Sequence, residues 1–129
     1  VKLVAAGFIA AQLILSYFTS GIAKLVSPVW RAGSGMQLIT RMASYCPPNI
    51  ACFFVNAKIS FVACCAVIWF EILGPFLLLF GQTGAIIFIA MGTLFHVGIA
   101  ISMGLTTFVF SFIATYPIIY ELALKFRFF

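Results

Sequence analysis

Hydrophobic positions fill four long runs, and polar residues fall mostly where one run gives way to the next. The first run, about Leu3 to Leu25, is apolar apart from Gln12, Ser16, Thr19 and Ser20. Roughly 20 apolar residues cross a hydrocarbon core as a helix, so this run is predicted to span. Ala5, Ala6, Gly7, Ala10 and Ala11 give it a small-residue face suited to close helix packing in lipid. Lys2 anchors one end and Lys24 the other. The pattern then changes. Ser27-Pro28 reads as a helix start, with Ser as N-cap and Pro at the first helical position. From Val29 to Tyr45, apolar Val29, Met36, Ile39 and Met42 alternate with Arg31, Gln37, Thr40 and Arg41. This segment is too polar to span and is predicted to lie in the interface, with Trp30 and Tyr45 as interfacial aromatics. Gly33 and Gly35 weaken it as a helix and allow close backbone approach to a ligand.

Cys46-Pro47-Pro48-Asn49 breaks the segment. The second span is expected over about Asn56 to Phe80, with Lys58 at its start, Glu71 near its middle and a kink at Gly74-Pro75. Gly81 to Gly84 reads as a short turn. The third span, about Ala85 to Met103, contains His96, and Gly104 to Thr107 is a second turn. The fourth run, Phe108 to Leu124, holds Pro117 and ends at Glu121, Lys125 and Arg127. The expected fold is an all-α integral membrane protein of about four transmembrane helices plus one interfacial amphipathic helix. Residues 1–129 are expected to form a single transmembrane domain.

Composition agrees with that class. The chain is 65% hydrophobic and 7% charged, too little charge for the surface of a soluble domain of 129 residues. Net charge is +5, yet no basic cluster is dense enough for a nucleic-acid footprint, so the bilayer and its headgroups are the expected partners. Lys24, Arg31, Arg41 and Lys58 fall on one side and Lys2, Lys125 and Arg127 on the other, a balance that does not set orientation. One mid-span carboxylate and no inverted repeat give a transporter or channel little to build on.

The polar residues within the runs carry the candidate chemistry. Lys24 reads either as a snorkelling anchor or as the reactive amine of a membrane-embedded site. Glu71 needs a partner, a water-filled cavity or a proton. It reads as a proton relay, a substrate contact or an ion pair with Lys24, Lys58 or an arginine, and equally as a neutral, hydrogen-bonded structural residue. His96 reads as a helix-packing histidine, a proton shuttle, a hydrogen-bond partner for a quinone, or a ligand to haem or a chlorin. Cys64 and Cys65 are expected to behave as buried apolar residues, while Cys46 and Cys52 would pair only on an oxidising side. Their spacing matches no zinc or redox signature, so no metal site is expected.

Tyr17, Phe18, Gly21, Lys24, Leu25, Trp30, Gly33 and Met36 together resemble a stretch of the vitamin K-dependent gamma-glutamyl carboxylase and the wider HTTM (horizontally transferred transmembrane) domain family. Phe95-His96, followed by Gly104 to Phe108, resembles a second block of that family. The resemblance implies the second half of an HTTM domain, with the other half before Val1. It implies that Lys24 is the base that deprotonates a lipid-soluble quinol, since a low-dielectric site favours the neutral, proton-accepting amine. Tyr17, Trp30 and His96 are then the expected cofactor contacts, and Glu71 and Arg31 the expected substrate or proton-relay groups. The chain is expected to act as a small membrane subunit of a larger complex, alongside other membrane subunits or the rest of a longer chain. The alternative is a carboxylase-like enzyme, or a fragment of one. The expected location is a bacterial inner membrane or its equivalent.

Overall fold

The computed structural model describes residues 2–42 and 46–125. The expectations for Tyr45 and Arg127 therefore lie outside the described residues. All regular structure among the described residues is helical. Helix α1 spans Lys2–Val26, and its 25 residues extend roughly 37 Å at helical rise. Short helices α2 (Pro28–Arg31), α3 (Gly35–Met42) and α4 (Pro48–Val55) follow. Helix α5 (Ala57–Leu73) continues into a tighter 3-10 segment, Gly74–Phe80. Helices α6 (Gly81–Met103), α7 (Thr106–Ile113) and α8 (Tyr116–Lys125) complete the chain.

Among the described residues, three stretches are long and apolar enough to cross a membrane: Lys2–Val26, Ala57–Met103 and Thr106–Lys125. The middle stretch, 47 residues, doubles back on itself. Phe70 stacks on Phe88 with ring centroids 6.1 Å apart, a contact impossible between residues that far apart along a straight helix. The reversal occurs at Gly81, whose φ of +65° is open to glycine. Helix α6 begins at that same residue, so the expected four-residue turn shrinks to one position. A Cβ at Gly84 would overlap the carbonyl oxygen of Leu77, so the two legs meet backbone to backbone. Counted this way, the described residues form four legs. The kink expected at Gly74-Pro75 is a switch to 3-10 geometry, because Pro75 has no N–H for the carbonyl of Glu71.

The interfacial segment departs from expectation. Gly33, at φ +80°, splits it into α2 and α3. Its carbonyl accepts from the Ser60 hydroxyl at 2.5 Å, which ties the break to α5. Pro28 starts α2 as expected, but the Ser27 hydroxyl makes no cap bond. Helix α4 was not anticipated: Pro47-Pro48 opens a helix rather than only breaking one. Asn56 then caps α5, its side chain accepting from the N–H of Lys58 at 3.0 Å. The fourth run is interrupted at Ala114 and Thr115, and Pro117 falls in the first turn of α8, where a missing N–H is tolerated.

The core lies where α1 meets the hairpin and α8. Leu13, Tyr17, Phe88 and Ile119 are buried together, with Phe70, Leu77, Phe95 and Phe112 packed around them. The small-residue face of α1 is mostly not used within the described residues. Ala5, Gly7 and Ala11 are exposed, and nothing lies within 4 Å of a Cβ placed at Gly7. Close packing falls at Gly21 instead, where a Cβ would meet Ile72 at 2.7 Å and Glu71 at 3.0 Å.

Candidate functional site

Tyr17, Ser20 and Lys24 stand three and four residues apart, so one face of α1 carries all three. Gly21, beside that face, lets α5 approach closely enough to bring Glu71 onto it. Lys24 Nζ donates to both Glu71 carboxylate oxygens at 2.8 Å. Ser20 Oγ donates to Glu71 Oε1 at 3.0 Å and accepts from Lys24 Nζ at 2.5 Å. The Glu71 side chain is 4% exposed and that of Lys24 19%. Of the alternatives open for Glu71, the observed arrangement is the ion pair with Lys24. The Lys24 ammonium also lies 5.3 Å from the Trp30 ring centroid, a cation–π distance. Gly35 leaves room for Trp30, since a Cβ at that glycine would press on its ring at 2.8 Å.

A second polar group lies nearer the N-terminal half of α1. Tyr17 OH and His96 Nε2 are 2.9 Å apart, and Tyr116 OH lies 3.5 Å from Tyr17 OH. Gly92 makes room for the Tyr116 hydroxyl, which a Cβ there would overlap. The imidazole is 1% exposed and packs against Phe112, with centroids 4.1 Å apart, and against Phe95 and Phe108. Its Nδ1 has no hydrogen-bond partner among the described residues. A haem or chlorin fits His96 poorly, because Tyr17 occupies Nε2 and three phenylalanine rings crowd the imidazole.

Both groups, apart from Tyr116, line one cavity of about 820 Å³. Its walls come from α1 through α7. Apolar residues dominate, and five of them, Phe53, Leu94, Ile101, Leu105 and Phe108, are also exposed on the outer surface. An apolar rim with a few convergent polar groups inside is the usual character of a small-molecule site.

Five of the six residues singled out by sequence, Tyr17, Lys24, Trp30, Glu71 and His96, line this cavity. Arg31 does not: it is exposed and is not part of the lining. Sequence reasoning overlooked Ser20 and Tyr116. Ser20, one turn before Lys24, could have been found from its spacing. Tyr116 carries no local signal, since only the tertiary fold brings it to Tyr17. Cys46 and Cys52 are both free thiols here, as are Cys64 and Cys65. Among the described residues, no three His, Cys, Asp or Glu side chains gather as a metal site.

A family model described as the HTTM domain matches residues 1–123. No curated protein and no solved structure matches the chain.

Proposed function

The chain belongs to the HTTM domain family of membrane proteins, and from that premise we propose that its cavity binds a lipid-soluble quinol-class molecule whose hydroxyl proton is taken by the Lys24–Glu71 pair. One observation carries the reading: a buried ion pair stands inside an apolar cavity whose rim is itself exposed and apolar. A ligand dissolved in lipid reaches such a rim from the side.

The pair changes what the sequence implied for Lys24. An amine alone would need to be neutral to act as a base. Paired with Glu71, it shares one proton between two sites, and the pair takes one further proton on a Glu71 oxygen from the ion-pair form, or on nitrogen once the shared proton has passed to Glu71. The hydroxyl O–H bond breaks, the proton joins the pair, and the electron pair stays on the ligand oxygen. The pair then carries one net positive charge beside that oxygen, which stabilises it in a low-dielectric site. Ser20 holds Glu71 Oε1 in place, and Trp30 faces the ammonium without competing for its proton. When bound, a quinol supplies the acidic hydroxyl and the oxidisable ring.

The exposed apolar faces of the helices suit lipid and neighbouring subunits equally, so the subunit role draws no particular support from the geometry.

A naphthol with an alkyl tail tests the proposal, because its protonated and deprotonated forms emit differently. Wild-type protein in nanodiscs should bind it saturably and give deprotonated emission at neutral pH. In Lys24→Arg the guanidinium keeps its proton, so the route through a neutral nitrogen is closed. The deprotonated emission should then fall at least about tenfold, a modest share of what a positioned base contributes. Equal emission from Lys24→Arg would sink the base role, and non-saturable binding would sink the ligand class.

A further inference from the structure

The fourth leg is broken halfway along, and the break faces outward. Ala114 and Thr115, between α7 and α8, fall at the middle of the span Thr106–Lys125. Three backbone carbonyls lose their helical partners there. Pro117 has no N–H for the carbonyl of Ile113. The N–H of Thr115 goes to Phe112 at 3.0 Å and that of Ile118 to Thr115 at 3.1 Å, in place of the carbonyls of Ser111 and Ala114. The Thr115 hydroxyl also donates to Phe112, at 2.7 Å. Ser111, Ile113, Ala114 and Pro117 are all exposed. Irregular backbone at membrane depth is tolerated where protein covers it or water lines it, and not against lipid. Opposite the break stands Gln12. It lies ten residues from Lys2, and Thr115 lies ten from Lys125, roughly 15 Å of rise in each helix. Gln12, Ser16, Ser111 and Thr115 line one groove of about 230 Å³ between α1 and α7. Gln12 is exposed, and its carboxamide has no partner among the described residues; the Ser16 hydroxyl reaches only its backbone carbonyl, at 2.8 Å.

We propose that this face is the contact between two copies of the chain, related by a two-fold axis along the membrane normal. One face thus carries free donors on Gln12 and free acceptors at the break, at matching depth. An axis along the normal keeps every residue at its own depth. It brings Gln12 of one protomer level with the break of its partner, and the reverse, as an isologous interface requires. Each carboxamide donates to the freed carbonyls at Ile113 and Ala114 of the other copy. A foreign helix would have to bring both a donor for the break and an acceptor for Gln12, whereas a second copy already carries the two. Water serves less well, because apolar Phe8, Ile9, Leu13 and Phe112 make up the rest of the groove. Phe8 and Phe110, exposed on the same two helices, supply packing surface beside the polar groups. Interhelical hydrogen bonds of this kind join helices in lipid, where apolar surface alone gives no drive. The dimer is independent of the ligand proposed for the larger cavity, and Gln12 does not line that cavity.

The full chain in liposomes tests this. Two pools labelled at exposed Cys52 are mixed, and energy transfer between them is followed as the lipid is diluted. The wild type should dimerise. Gln12→Leu should weaken the dimer about tenfold or more, the worth of two interhelical hydrogen bonds lost at once. Continued protection of buried Cys64 from maleimide shows that the variant keeps its fold. Cross-linking then locates the contact. With Cys46 and Cys52 replaced by serine, Gln12→Cys chains and Ala114→Cys chains carrying different tags are mixed and oxidised, and a disulfide should join one to the other. A chain that stays monomeric throughout the dilution overturns the proposal, as does a dimer indifferent to Gln12→Leu or a mixture that yields no mixed product. Cross-linking of Gln12→Cys to a different polypeptide in the native membrane also overturns it, and assigns the face to a foreign helix.

Discussion

Removing one partner of the Lys24–Glu71 pair leaves the other buried without a counter-charge. Glu71 has the worse position: at 4% exposed, it would keep Ser20 as its one remaining donor in Lys24→Met. Breaking a buried pair costs about 3–5 kcal/mol. The 19% exposure of Lys24 places this pair at the lower end, about 3 kcal/mol, or roughly a hundredfold in the unfolding equilibrium. Glu71→Gln should cost less, about 1–2 kcal/mol, because the Lys24 stem can carry its ammonium toward the interface. The double variant carries no stranded charge and should be less damaged than the two single losses together, by about 2 kcal/mol of coupling. Reversible unfolding in bicelles with increasing dodecyl sulfate measures all four corners of this cycle. If the two single losses add to the double within about 0.5 kcal/mol, the pair does not couple α1 to α5, and the proposed acceptor loses its structural basis.

Two glycines in helices should respond in opposite directions. Gly84→Ala places a methyl on the Leu77 carbonyl and should destabilise the α6 hairpin by about 1–3 kcal/mol, read in the same unfolding assay. Gly7→Ala meets open space and should be neutral or stabilising by up to about 1 kcal/mol. Thiol labelling with a maleimide should reach exposed Cys52 in the folded protein and spare Cys64, which is fully buried; rapid labelling of Cys64 would contradict the packing of α5.

Much of this architecture could be read from the chain because lipid imposes hard rules. Apolar runs long enough to span became spans, and glycine or proline marked their ends. Where the expectation failed, two local signals had more than one meaning. Pro47-Pro48 serves as a stop for one segment and as the first turn of α4. The Gly81 to Gly84 stretch looked like a loop, yet Gly81 alone turns the chain and Gly84 admits the backbone of the other leg. For the candidate site, sequence could mark the costly residues but not match them. Lys24 and Glu71 are 47 positions apart, and Tyr17 and His96 are 79 apart. Nothing in the intervening pattern specifies those meetings. They follow from the approach at Gly21 and the reversal at Gly81.

The two polar groups of the cavity differ in kind, and the difference has a direction. Lys24 belongs to the last turn of α1, where the chain leaves the bundle for α2. Tyr17 and His96 lie about two turns further in, among aromatic rings. Charge is thus kept near the end of the span, and the deeper contacts are made by neutral groups. That order is the inexpensive one, because the cost of a charge rises toward the middle of the bilayer.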